Sequence, residues 1–143
     1  MVLFAKDIAE AEFLSMARDV KALEAAKQMK KSHRGFVVVV SDEGKPEGVV
    51  TEWDFLSEIM AEGKAPESVK LSDIMSKNLV TVKANDGIDH VAKLMAEKGI
   101  RRVLVVQDGK IIGAVTSKTI LRRLEDYVNN VSAQIARLQA PIF

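Results

Sequence analysis

The 143-residue chain has no cysteine, one tryptophan, one tyrosine and two histidines, and its formal net charge is only +1. Without cysteine, disulfides, thiolate metal sites and thiol catalysis are excluded. Aromatic residues make up 5% of the chain. With so few stacking platforms and no basic excess, nucleic-acid binding is the weakest of the available readings, and an anionic membrane surface has nothing to attract it. No apolar run approaches the ~18 residues of a membrane span. The apolar opening, residues 1–5, is too short for a signal peptide and is cut off by Lys6-Asp7. The expected location is cytoplasmic. His33 and His90 stand far apart without partners at ligand spacing, so no metal is expected. There is no Ser-His-Asp set, P-loop or paired-carboxylate signature, and the chain does not read as an enzyme.

What is present is repetition. Asp7-Ile8 matches Asp73-Ile74, and Ala26-Lys27-Gln28-Met29 matches Ala92-Lys93-Leu94-Met95, both at an offset of 66 residues. Gly48-Val49-Val50-Thr51 matches Gly113-Ala114-Val115-Thr116 at 65, so the first copy holds one extra residue in a turn near Glu43. A fixed period of this kind sets the architecture before any local reading. Each copy of about 60 residues is marginal as a lone core. The expectation is therefore one compact body of two similar halves related by a pseudo-twofold axis, with a cleft between them.

Within each half the pattern is regular. Ile88, Val91, Ala92 and Met95 form one helical stripe, opened by Asn85 or Asp86 as cap. Ala22, Ala25, Ala26 and Met29 are the smaller counterpart, which should let that helix pack closer to its sheet. Gly35 and Gly99 stand near the helix ends, where glycine often marks an exit. Residues 36–40 and 103–106 are short β-branched runs that read as strands buried on both faces. Residues 41–45 and 107–110 are Asp/Gly turns. Returning strands at 48–51 and 111–116 lead into helices starting at Glu52 and Ser117. The division expected is 1–62, a linker at 63–70 where Gly63 and Pro66 stop the first half, 71–127, and a helical extension over 128–143.

This doubled order, with GVVTEWD after the second strand and LSDIM at the opening, resembles the tandem cystathionine-β-synthase (CBS) domain pair, or Bateman module, over nearly the whole chain. The resemblance implies a mixed α/β fold of two β-α-β-β-α repeats. It also implies an adenosine-containing ligand in the cleft between them: AMP, ADP, ATP or S-adenosylmethionine. Such modules sense ligands and commonly form dimers. The family's ligand motif is glycine, two apolar residues, Thr or Ser, two variable residues and Asp. The first repeat carries it in full as Gly48, Thr51 and Asp54. By the resemblance, Thr51 contacts phosphate and Asp54 the ribose hydroxyls, Val49 and Val50 line the adenine wall, and Asp86, Ile100 and Arg101 complete the site from the second repeat. A strand-to-helix junction suits phosphate, because N–H groups there lack intrahelical partners, and a carboxylate suits a diol.

The second repeat departs from the motif, with Thr119 where the aspartate should stand. A weaker or empty second cleft is expected around Thr116, Lys118, Thr119, Arg34 and Val20. Thr51-x-x-Asp54 has a second explanation, since it is also a capping box that needs no ligand. His33 and Arg102 are lesser phosphate candidates. Trp53 is expected to be an exposed or dimer-interface ring sooner than a stacking platform for adenine.

The last helix breaks the symmetry. It runs from Ser117 to about Gln139 with no glycine or proline, and Leu121, Leu124, Val128, Val131, Ile135 and Leu138 repeat at 3, 4, 3, 4, 3. At 1.5 Å per residue it is about 34 Å long. It either folds back over its own domain or packs against another helix. A homodimer contact is expected, with Pro141-Ile142-Phe143 tucked into it, and a regulated partner protein is the other candidate occupant. The overall expectation is a stand-alone nucleotide sensor. The alternative is a scaffold or adaptor with empty clefts that works through this helix.

Overall fold

The computed structural model describes residues 3–139, so the expectation for Pro141-Ile142-Phe143 lies outside the described residues. In chain order the elements are α1 (Ala5–Ile8), β1 (Leu14–Ala17), α2 (Ala22–Ser32), β2 (Phe36–Val40), β3 (Pro46–Thr51), α3 (Glu52–Phe55), α4 (Leu71–Ile74), β4 (Thr81–Lys83), α5 (Ile88–Lys98), β5 (Arg102–Gln107), β6 (Lys110–Thr116) and α6 (Ser117–Gln139). A π-helical turn, Leu56–Met60, continues α3. Among the described residues no helix is long and apolar enough to cross a membrane.

The strands form two three-stranded sheets of the same design, β1-β2-β3 and β4-β5-β6. In each, the first pair is parallel and the second antiparallel. The central strands carry the continuous apolar runs and are buried on both faces: Val37, Val38 and Val39 are wholly inaccessible, and Val103, Leu104 and Val105 nearly so. The β5–β6 hairpin turns through Asp108 and Gly109, both with positive φ, as a two-residue turn requires. The β2–β3 turn is longer and is closed by Ser41, whose carbonyl accepts from Gly44 and whose Oγ accepts from Lys45. Register slips at Val39/Val40 and at Val105/Val106, so a bulge recurs at the equivalent point of each sheet.

The chain divides into two compact units, and their boundaries differ from those of the sequence repeats. One unit is Ala11–Val80; the other joins the segment ending at Glu10 to the stretch from Thr81 onward. In the first, α2 lays Ala22, Ala25 and Met29 on Val37, Val39 and Val50, and Leu71 and Ile74 of α4 fill the same core. In the second, Val91 and Met95 of α5 are buried, as are Ala5 and Ile8 of α1. Thus α1 packs with the strands of the second repeat and α4 with those of the first. Four backbone bonds fix this arrangement. Val49 and Ser76 exchange N–H···O bonds of 3.0 and 2.9 Å, and Glu10 and Ala114 exchange two of 2.9 Å.

Two local expectations are corrected. The α5 N-cap is Gly87, not Asn85 or Asp86. The left-handed exit of α2 falls at His33 (φ 54°), the counterpart of Gly99 (φ 62°), and not at Gly35. The closing helix of the first repeat does stop short, its π turn ending at Met60 ahead of Gly63.

Candidate functional site

The junction of β3 and α3 is built from one short segment. Thr51 ends the strand with extended backbone and is the N-cap of α3. Asp54 turns its carboxylate back on the strand end, where Oδ2 accepts the Thr51 N–H at 2.7 Å and the Thr51 hydroxyl at 3.3 Å. Both side chains are half-buried. The capping box and the ligand motif therefore coincide on the same residues. Both bonds fall on Oδ2, which leaves Oδ1 on a partly exposed carboxylate available to a donor. The first N–H of α3, on Glu52, is already engaged by the Gly35 carbonyl at 3.3 Å.

The same carboxylate-to-backbone bond recurs three residues apart elsewhere. Asp7 accepts from Phe4 N–H at 2.8 Å, Asp73 from Lys70 at 3.0 Å and Asp86 from Lys83 at 2.8 Å. The repeated Asp-Ile pairs that first revealed the duplication are thus capping devices. Asp86 shapes the turn ahead of α5 in the same way.

At the equivalent junction of the second repeat, the hydroxyls of Thr116 and Thr119 lie 2.9 Å apart, and the Thr119 N–H donates to Thr116 Oγ1 at 3.2 Å. Thr119 is 7% exposed. A small neutral pair therefore closes on itself where the first repeat presents a carboxylate. Lys118 is exposed beside it.

Successive strand residues face opposite sides, and this corrects one part of the expected adenine wall. Val50 is wholly buried in the core beneath α2 and α4, so it has no surface to offer a ligand, whereas Val49 is half-exposed. Val20 packs on that same core, and its carbonyl accepts from Leu71. Arg34 is half-buried at the exit of α2. Thr51, Asp54, Val49, Val20 and Arg34 belong to the unit Ala11–Val80. Asp86, Ile100, Arg101, Thr116, Lys118 and Thr119 belong to the other. Arg101 is exposed at the head of β5, and its carbonyl accepts from Ser117 at 2.9 Å. Ile100 lines a groove between α5 and α6.

The role of Gly48 was not legible from the motif. A Cβ there would sit 2.8 Å from both Met75 Sδ and the Ser76 carbonyl. At Gly113 it would sit 2.7 Å from the Glu10 carbonyl and 3.1 Å from Ala9 Cβ. The motif glycine is required by the close approach of a chain segment across the strand. Nothing nearby in sequence signals that partner.

Two mixed sheets of one design, each ending in a Thr-capped helix, define a duplicated α/β module whose second repeat carries Thr119 where the first carries the Asp54 carboxylate. The CBS domain model matches residues 5–61 and 71–126, and the chain belongs to the CBS-domain proteins. It is 33% identical over 134 residues to Uncharacterized protein MK0525 of Methanopyrus kandleri, covering 93% of this chain and 68% of that one. It is 30% identical to L-aspartate semialdehyde sulfurtransferase of Methanocaldococcus jannaschii across 85% of this chain, but spans only 23% of that enzyme. Among solved structures, the CBS domain pair of protein MJ0100 in complex with 5′-methylthioadenosine and S-adenosyl-L-methionine aligns at TM-score 0.77 and 30% identity, covering 89% of this chain and 99% of that one.

Proposed function

We propose that the chain is a ligand-sensing regulatory module, not a catalyst, that binds an adenosine-containing small molecule at the β3–α3 junction: AMP, ADP, ATP or S-adenosylmethionine. The observation that carries this reading is the Asp54 carboxylate, half-exposed and with one oxygen uncommitted, at the end of a Gly-x-x-Thr-x-x-Asp segment. A ribose diol supplies two donors, and an ionised carboxylate accepts both. The adenosyl ligands of the MJ0100 domain pair support the ligand class. The self-closed Thr116–Thr119 pair offers no such acceptor, so one site per chain dominates. A ligand of this kind regulates only through unequal affinity for two conformations.

Thermal melts with millimolar AMP, ADP, ATP and S-adenosylmethionine test the proposal. At 100 times its dissociation constant a ligand stabilises by about 2.7 kcal/mol, an upward shift of several degrees. Asp54→Ala should abolish most of the shift measured from its own baseline, while Thr119→Ala keeps it. No shift with any of the four ligands would leave the scaffold reading, which the exposed face of α6 favours.

A further inference from the structure

α6 does not fold back over its own unit. Leu121, Leu124, Val128, Ile135 and Leu138 are 62, 53, 51, 48 and 86% exposed, and only Val131 of the seam is partly covered. The CBS match ends at residue 126, so the remaining turns of the helix lie beyond what the two repeats use. A helical extension exposed at all but one of its residues gains little stability from propensity alone and depends on packing its apolar stripe. This stripe is the narrow two-per-heptad kind, which suits another helix better than a broad groove.

We propose that α6 pairs with α6 of a second copy as a parallel, in-register, two-stranded coiled coil. Three observations lead there. First, with Leu121 at position a, the β-branched Val128 and Ile135 also fall at a, while Leu124, Val131 and Leu138 fall at d, so two of the three residues at each position match the distribution that favours parallel dimers, β-branched at a and leucine at d. Second, the charges permit it. In register, the flanking positions bring Ile120 to the partner's Glu125, Tyr127 to the partner's Ser132 and Gln134 to the partner's Gln139, so no like charges meet across the seam. Two of the helix's arginines are already engaged at home: Arg122 lies 3.6 Å from Glu10, and Arg123 donates to the Asp7 carbonyl at 3.4 Å. Third, the seam is continuous with an apolar surface. Leu121 also lines the groove of about 360 Å³ between α5 and α6, with Met95, Ala96 and Ile120, so a helix lying on the seam covers the groove as well.

The cysteine-free chain allows a direct test. Leu124→Cys and Leu138→Cys are exposed substitutions that leave the core untouched. Each variant, oxidised alone, should form a covalent dimer. The unmodified protein should scatter light with twice the chain mass, and Val131→Asp should weaken association at least tenfold while the sheets melt unchanged. An antiparallel pair would instead crosslink only in a mixture of Leu121→Cys with Leu138→Cys, and that result overturns the proposal. A monomer at tens of micromolar overturns it too. Neither outcome depends on the ligand reading, which the melts test separately.

Discussion

The Asp54 carboxylate does structural duty in the free chain, and the proposed site needs it a second time. Its bond to the Thr51 N–H is repeated at Asp73 on Lys70, a position with no ligand role assigned to it. Asp54→Ala and Asp73→Ala should therefore each lower the unliganded stability by about 0.5–2 kcal/mol in urea denaturation. Only Asp54→Ala should also lose the ligand-induced shift. The motif glycines make a sharper structural claim. Gly113→Ala sets a Cβ against the Glu10 backbone, which cannot swing aside, whereas Gly48→Ala meets partly the flexible Met75 side chain. Both should destabilise, by about 1–3 kcal/mol, with Gly113→Ala the worse. Equal stability to the parent in the same denaturation would show that the close approach relaxes freely. At this scale the sequence disclosed what is local. Thr51 and Asp54 are three residues apart, and their pattern signals both a cap and a ligand motif. Gly48 reads as part of that motif, but its steric partner, Met75-Ser76, is remote along the chain.

At the scale of elements, the central strands and the main helices were legible because burial leaves a pattern: β-branched runs in β2 and β5, and a stripe at helical spacing in α2 and α5. Periodicity alone did not reveal β1 or β4. They are four and three residues long, β1 has no fully buried residue, and Val82 is the sole buried one in β4. Their presence followed from the resemblance. The π turn after α3 has no composition cue at all. The small stripe of α2 has a measurable consequence. Ala22 and Ala25 are wholly buried, so Ala25→Leu, at the position matched by Val91 in α5, should overpack the first unit by about 1–3 kcal/mol. A lowered urea midpoint with an unchanged slope checks it.

For the whole molecule, the repeats of the sequence and the units of the structure are offset. The family matches begin at residues 5 and 71, yet α1 buries Ala5 and Ile8 with the strands of the second repeat, and α4 buries Leu71 and Ile74 with those of the first. A duplication is visible as matched residues, but an exchange of opening helices is not, because each helix reads the same whichever sheet receives it. Expressed alone, residues 1–62 should lack cooperative unfolding, having lost Leu71 and Ile74 and left Ala5 and Ile8 without their core. Residues 11–80 retain that core and should unfold more cooperatively by circular dichroism; the reverse order would contradict the exchange. The two repeats were also expected to differ in ligand binding, and their junctions differ in the chemistry this requires, a carboxylate against a threonine pair. Calorimetric titration of the intact chain with AMP, ADP, ATP and S-adenosylmethionine tests that claim most directly. At least one ligand should bind with one site per chain, lost in Asp54→Ala and kept in Thr119→Ala. Absence of binding by all four, or equal loss in the two variants, would contradict the account.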